Sequence, residues 1–226
     1  MDRHDTPATY AAQVTFDTER ASLADACRRL ASEGLVIGTA GNLSVRADDR
    51  VVVTPTGCSF DSVSPGEMSV VDLDGAVREG APTSELGLHL GVYRAIDWAG
   101  AVVHTHSPMA TAVGTVVHEL PPIHYSMLAL GGSVRVALYA TFGTEELHQL
   151  VLRAIEGRTA ALMKNHGTLN CGASLDAAME GALLLEWACS LYWHAAQISE
   201  PSVLSEEQLA DVARQVQELN YGGVRG

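Results

Sequence analysis

The sequence of 226 residues predicts an α/β fold in three layers, with helices on both sides of a central sheet that is mixed and mostly antiparallel. Two observations predict it. Between residues 43 and 73, short apolar runs are separated by turn-forming residues, which is typical of antiparallel strands. From residue 84 onward, segments with helical periodicity alternate with short apolar strands. Residues 1–226 are expected to form one domain, because no linker-like segment divides them.

The first elements are a helix and a group of strands. Leu23, Cys27 and Leu30 lie at helical spacing within residues 17–33, and Gly34 follows where a helix C-terminal cap is expected. Turn residues at Asp48, Pro55 and Asp74 then bound three short strands. These strands are predicted over residues 43–46, 50–54 and 68–73.

The second half alternates between helix and strand. Helices are predicted to begin at residues 84, 107 and 144, and strands are predicted over 101–104, 134–138 and 160–163. A long apolar helix over 175–196 and an amphipathic helix over 205–219 complete the prediction. In the long helix, Leu183, Leu184, Leu185 and Trp187 are expected in the core.

Composition excludes several classes of partner. Lys and Arg number 14 against 27 Asp and Glu, so the net charge of 14 − 27 = −13 opposes binding to nucleic acid or to an anionic membrane. The cysteines Cys27, Cys58, Cys171 and Cys189 form no C-x-x-C pair, and reduced thiols are expected. The segment from Met1 to Pro7 has no hydrophobic signal core, so we expect a cytoplasmic protein.

Three histidines and a glutamate predict an open zinc site. His104 and His106 are two residues apart at the end of a predicted strand, so their side chains project from one face with Cα atoms about 6.6 Å apart. His166 and Glu85 are expected to complete the site, since zinc prefers four ligands. A displaceable carboxylate can vacate its position for substrate. Each motif alone is more often structural, and their joint occurrence favours the metal site.

Three turns predict a phosphate site next to these ligands. Thr83 and Ser84 introduce the helix that carries Glu85, and the N-terminus of a helix attracts anions. The turns at residues 39–42 and 54–57 contain small residues that let backbone amides approach an anion. A phosphorylated substrate held by neutral donors suits a chain with few cations. His89, four residues after Glu85, is expected to pack behind the site.

These residues resemble the class II aldolase/adducin family, and most closely its L-fuculose-phosphate aldolase branch. The resemblance covers residues 24–209 and rests on five motifs shared across the family: Gly38–Arg46, Thr54–Gly57, Ser84-Glu85, Val103–His106 and Asn165–Gly167. The aldolase branch itself is indicated by Pro122–Tyr125, Leu130–Gly132 and Tyr139–Thr144.

The resemblance implies a role for each matching residue. His104, His106, His166 and Glu85 would hold one Zn²⁺ per chain, and Glu85 would leave the metal to act as acid and base. The substrate phosphate would be bound by Asn42, Thr56, Gly57, Thr83 and Ser84. Tyr125 would act as an acid/base residue in the active site of a neighbouring subunit, which implies a homotetramer with active sites at subunit interfaces.

The implied activity is the reversible cleavage of a ketose 1-phosphate, L-fuculose 1-phosphate, into dihydroxyacetone phosphate and L-lactaldehyde. Thr83 stands where these aldolases commonly have serine, and Tyr221 does not align cleanly with their C-terminal tyrosine.

Two kinds of alternative to an aldolase remain open, namely another enzyme of the same fold and a module without catalytic activity. A pentulose-phosphate 4-epimerase or a methylthioribulose-phosphate dehydratase would use the same fold, but the epimerases typically have Asp in place of Glu85. The dehydratases tend to have Trp near the position of Cys171. A non-catalytic adducin-like module would not need the metal ligands that this chain retains.

Overall fold

A computed structural model describes residues 15–219, and its centre is one nine-stranded sheet in the order β4-β3-β2-β1-β5-β9-β8-β7-β6. The pair β7 and β8 is parallel, and the other adjacent pairs are antiparallel. The strands are β1 (Gly41–Ala47), β2 (Arg50–Val53), β3 (Ser69–Asp72), β4 (Val77–Glu79), β5 (Ala101–Thr105), β6 (Glu119–Leu120), β7 (Val134–Ala137), β8 (Ala160–Met163) and β9 (Gly167–Gly172).

Helices cover both faces of this sheet. They are α1 (Asp17–Ser32), α2 (Leu86–Ala95), α3 (Pro108–Val116), α4 (Glu145–Ile155), α5 (Leu175–Ala196) and α6 (Glu206–Glu218). One face packs against α2 and α4, and the other packs against α1, α3 and α5. The alternation of side chains in β2 shows the division, because Val51 and Val53 face α2 and α4 while Val52 faces α1. The predicted fold class is confirmed.

The predicted elements agree with the structure wherever a clear sequence signal exists. Helix α1 ends one residue before its prediction, and Gly34 takes the left-handed conformation with φ of 74° that a helix C-terminus favours. Helix α5 spans the predicted residues, and Thr144 caps α4 by accepting a hydrogen bond from the Leu147 amide. Strands β4, β6 and β9 were not predicted.

The expected core position of Trp187 is wrong. Leu185 is fully buried and Leu183 and Leu184 are partly buried, but Trp187 is 45% exposed. The reason is the helical period, because four nearly consecutive apolar residues cannot all face the sheet.

The remaining findings concern the cysteines, the helices and Tyr221. All four cysteines are unpaired, as expected for reduced thiols, and burial raises the pKa of Cys171 to about 12. Within residues 15–219, none of the helices combines the length and the apolar character needed to cross a bilayer. Tyr221, the doubtful C-terminal tyrosine, lies outside the described residues.

Candidate metal centre and active site

The pairing of three central strands positions His104. Asn42 in β1 pairs with His104 in β5, which in turn pairs with Leu169 in β9. His104 is fully buried on the sheet face that packs against α2, and His106 follows immediately after the strand ends. The predicted convergence of the two imidazoles is observed, since their Nε2 atoms lie 3.0 Å apart.

The tight turn between β8 and β9 presents His166. Asn165 has a φ of 54°, in the left-handed region that Asn tolerates better than most residues. Gly167 follows, and a Cβ atom at this position would lie 2.3 Å from the backbone oxygen of Thr105. The glycine therefore lets β9 approach β5 closely enough for His166 to reach the other two histidines.

Replacing Gly167 with alanine is expected to destabilise the protein by about 1–3 kcal/mol, because the backbone of β5 cannot move away cheaply. Gly114→Ala in α3 is the matched control: its Cβ atom would meet its nearest neighbours at an ordinary 3.6 Å. The control should change stability by less than about 1 kcal/mol. Urea unfolding of both variants measures the difference, and equal stabilities would contradict this account of the turn.

Glu85 is positioned by two turns that hydrogen-bond to each other. The Thr83 amide donates to the Thr54 carbonyl at 3.1 Å, and the Thr56 amide donates to the Ala81 carbonyl at 3.0 Å. Thr83 Oγ1 accepts a hydrogen bond from the Glu85 amide at 3.2 Å, directly before α2 begins. These bonds fix the start of α2 against the end of β2.

The four side chains meet as a compact group of ligand atoms. One nitrogen or oxygen from each of Glu85, His104, His106 and His166 lies within 4.8 Å of all the others. Glu85 Oε2 is 3.1 Å from His104 Nε2, and Glu85 Oε1 is 3.3 Å from His166 Nε2. The three imidazole rings are mutually near-perpendicular, with centroids 4.9 to 5.0 Å apart.

The protonation of these groups favours a cation between them. His104 Nδ1–H donates to the Thr168 carbonyl at 2.7 Å, so in the neutral ring Nε2 presents a lone pair to the group. Burial, together with His104 and His166, lowers the pKa of His106 to about 4, which keeps that ring neutral near pH 7.

The carboxylate of Glu85 completes the set. Burial by itself raises the pKa of Glu85, but positive charge at His104 and His166, together with the hydrogen bond from Asn42, outweighs it and lowers the pKa below its ordinary value. Within residues 15–219, Glu85 Oε1 is buried without a hydrogen-bond partner. The imidazole nitrogens and carboxylate oxygens thus direct lone pairs toward one another at separations of about 3 Å. A divalent metal ion between them would accept these lone pairs, and imidazole and carboxylate are common ligands of such an ion.

A cleft of about 320 Å³ opens onto the group, and its size falls in the range of small-molecule sites. Among the predicted phosphate ligands, Asn42, Gly57, Thr83 and Ser84 line it. No lysine or arginine of the described residues lines it, which agrees with the predicted use of neutral donors. A larger groove of about 820 Å³ beside Trp98 and Arg158 contains none of the predicted site residues.

Two predicted site residues lie apart from this cleft. Thr56 is exposed and does not line it, although its backbone bond to Ala81 helps to shape the turn. Tyr125 lies on a short 3-10 turn, 51% exposed beside His124, and does not line the cleft of its own chain.

The structure adds functional candidates that the residue patterns did not assign. Tyr139, Ala140 and Phe142 line the cleft, and both aromatic rings are more than 60% exposed. The sequence signal that could have identified this rim is the pair of aromatic residues three positions apart within the Tyr139–Thr144 motif, just after a predicted strand. The contact between Asn42 Nδ2 and Glu85 Oε2, at 3.0 Å, was also not predicted.

Several known proteins are similar to this chain. The chain is 38% identical over 195 residues to a 5-methylthioribulose-1-phosphate/5-deoxyribulose-1-phosphate aldolase of Rhodospirillum rubrum, covering 85% of this chain and 88% of the relative. It is 39% identical over 191 residues to the L-fuculose phosphate aldolase of Escherichia coli K12, covering 83% and 89%. A solved structure named L-fuculose 1-phosphate aldolase is 33% identical, with a TM-score of 0.87 over 92% of this chain and 100% of that one.

The family itself follows from the extent of the match. Residues 21–193, most of the chain, match the family described as Class II Aldolase and Adducin N-terminal domain. The similar relatives named above are aldolases, and aldolases are lyases. The chain therefore belongs to the class II aldolase and adducin family, and within it to the lyases.

Proposed function

We propose that the protein is a zinc-dependent aldolase that reversibly cleaves a ketose 1-phosphate into dihydroxyacetone phosphate and a short aldehyde. L-Fuculose 1-phosphate, which would yield L-lactaldehyde, is the first candidate substrate. The observation that carries this proposal is the group formed by Glu85, His104, His106 and His166, whose ligand atoms lie within 4.8 Å of one another at one cleft. When bound there, zinc would act as a Lewis acid toward the substrate carbonyl.

The end of the cleft formed by Gly57, Thr83 and Ser84, which we call the phosphate end, supports a phosphorylated substrate. Gly57 has a φ of 64°, and a Cβ atom at this position would meet nothing within 4 Å, so the backbone of its turn is open to an anion. Ser84 is exposed at the start of α2, where the helix dipole favours negative charge. A phosphate held by hydroxyl and amide groups needs no lysine or arginine, and this agrees with the net charge of −13.

The aromatic rim supports an apolar tail on the substrate. Tyr139 and Phe142 stand at the cleft with rings 62% and 64% exposed, so an apolar group that covers them would remove that surface from water. L-Fuculose 1-phosphate and 5-deoxyribulose 1-phosphate both end in a methyl group, and 5-methylthioribulose 1-phosphate ends in a methylthio group. All three would place an apolar end at this rim.

In the cleavage direction, each proton has a candidate residue. Breaking the bond between C3 and C4 leaves the electron pair on the three-carbon fragment. Once substrate displaces Glu85 from His104 and His166, burial would raise the proton affinity of its carboxylate, and the acid form of Glu85 would deliver a proton to C3 of that fragment. The C4 hydroxyl must lose its proton as the aldehyde forms. Tyr125 of a second copy of the chain would accept it in the phenolate form, because Tyr125 is exposed and lies outside its own cleft. Tyr125 and Glu85 would regain their starting protonation by exchange with solvent before the next turnover. A homotetramer in the cytoplasm completes the proposal.

A substrate panel tests this function. Zinc-loaded protein would be incubated with L-fuculose 1-phosphate, 5-deoxyribulose 1-phosphate, 5-methylthioribulose 1-phosphate and L-ribulose 5-phosphate, and release of dihydroxyacetone phosphate would be followed. We expect release from at least one ketose 1-phosphate and its loss after chelation. Epimerisation of L-ribulose 5-phosphate without release of a three-carbon fragment would contradict the proposal and favour the epimerase.

A further inference from the structure

Behind the metal group, a row of buried polar side chains joins strand β1 to helix α2. Asn42 and Ser44 are two residues apart on β1, so both project toward α2. Glu85, His89 and Tyr93 are four residues apart, so they form one stripe along α2. The two spacings are nearly equal in length, about 6 Å in the helix and about 6.6 Å in the strand, which lets the rows interlock.

These five residues make an unbroken hydrogen-bond chain, which we call the buried chain. Tyr93 Oη lies 2.7 Å from Ser44 Oγ, and Ser44 Oγ lies 2.7 Å from His89 Nδ1. His89 Nε2 lies 2.5 Å from Asn42 Oδ1, and Asn42 Nδ2 lies 3.0 Å from Glu85 Oε2. Every member is at least nine-tenths buried, with Ser44 and His89 at 0% exposure.

Chemistry allows only one direction for the bonds in this chain. A carboxylate only accepts, so the Asn42 atom that faces Glu85 must be the NH₂ group, and its carbonyl oxygen must face His89. His89 therefore carries its proton on Nε2. Burial, and then His104, lower the pKa of His89 to about 3, so the ring is neutral and Nδ1 accepts from Ser44. Ser44 in turn accepts from Tyr93.

We propose that His89 is a positioning residue: through Asn42 it fixes the carboxylate of Glu85 so that Oε1 stays free toward the metal position. Asn42 holds Oε2 at 3.0 Å, while Oε1 has no hydrogen-bond partner among the described residues and faces His166 Nε2 at 3.3 Å. Without the N–H of His89, the Asn42 amide is free to rotate, and Glu85 loses its fixed orientation. This inference rests on the proposed function for its catalytic consequence, but not for its effect on metal binding.

The principal variant is His89→Phe, which keeps a planar ring and removes the donor. We expect kcat to fall about 10- to 100-fold and the dissociation constant for zinc to rise by a similar factor. Loss of a group that orients a metal ligand typically lowers metal affinity or activity by about this factor. KM should change less than kcat, because Asn42 alone among the predicted phosphate ligands is released, whereas Gly57, Thr83 and Ser84 keep their places in the cleft. His89→Gln places an amide N–H near the position of Nε2 and should recover most of both losses.

Val92→Ala is the matched control for lost packing. Val92 is fully buried on the same helix and lies outside the buried chain. Val92→Ala should lower the unfolding temperature without changing kcat or the zinc dissociation constant, which is measured by chelator competition. If His89→Phe does not fold, Ser44→Ala removes only a hydroxyl and should shift both quantities in the same direction. Nitrogen NMR of labelled histidine should show His89 as the neutral Nε2–H tautomer.

The outcomes separate this inference from the proposed function. If wild-type protein cleaves no ketose phosphate, the function is wrong, but weaker zinc binding in His89→Phe than in Val92→Ala still supports positioning. If wild-type protein is active and His89→Phe, or Ser44→Ala in its place, matches Val92→Ala in kcat and in zinc affinity, the positioning role is overturned. An Nδ1–H tautomer for His89 would also overturn it.

Discussion

Replacing His104 with alanine is expected to remove the bound metal ion and to lower kcat/KM by about 10³-fold or more. A divalent ion contributes several kcal/mol to the stabilisation of developing negative charge, and each 1.4 kcal/mol is a factor of ten in rate. His104 is the most firmly fixed of the four proposed ligands, since it is fully buried and its ring is oriented by the Thr168 carbonyl at 2.7 Å. Metal content by mass spectrometry and steady-state cleavage rates measure the two effects.

Two controls keep this result interpretable. His118 is an exposed histidine outside the group, so His118→Ala should retain both metal and activity. Because loss of a buried imidazole also lowers stability, the unfolding of His104→Ala should be measured. His166→Ala provides a second test of metal content and activity, since His166 lies on a turn at the edge of the cleft. If both variants retained one ion per chain and wild-type rates, the assignment of these histidines would be wrong.

Glu85→Gln is expected to lower kcat by about 10²- to 10⁴-fold while leaving metal bound, the range typical of a lost general acid/base group. The amide keeps the size of the side chain, and its oxygen can still accept from Asn42 Nδ2, but it cannot exchange a proton at neutral pH. The three imidazoles remain to hold the ion. Single-turnover cleavage and metal content should be measured on the same preparation.

Glu146→Gln provides the comparison for a lost negative charge. Glu146 is exposed in the first turn of α4, so its replacement should leave kcat unchanged. If Glu85→Gln kept kcat within about tenfold of the wild type, Glu85 would not act as the acid/base group and would serve only to bind metal or to shape the cleft.

The sequence predicted elements with a strong local pattern and missed those without one. Helices α1 and α5 were predicted to within a residue because their apolar periodicity and caps are local signals. Strand β9 was missed because every residue from Gly167 to Gly172 is buried, polar and apolar alike, so no alternation marks it. Strands β4 and β6, with three and two residues, are too short to leave a pattern.

The sequence likewise predicted the site residues with a local motif and missed the contacts between distant strands. The four metal-ligand candidates were identified from their short motifs, and the structure brings them together. Their arrangement depends on the register of β1, β5 and β9, which are far apart along the chain, so the contact of Asn42 with Glu85 could not be predicted. The link from His89 to Asn42 was equally inaccessible, although the spacing of Glu85 and His89 indicated a shared helix face.

The coordination shell of the bound metal tests the central claim most directly. X-ray absorption spectroscopy should be performed on zinc-loaded wild-type protein whose zinc content per chain has been measured. We predict one ion per chain, with a first shell of nitrogen and oxygen atoms at about 2.0–2.2 Å that includes the signature of three imidazoles. A sulfur shell at about 2.3 Å, or protein that binds no stoichiometric ion, would contradict a site built from His104, His106, His166 and Glu85.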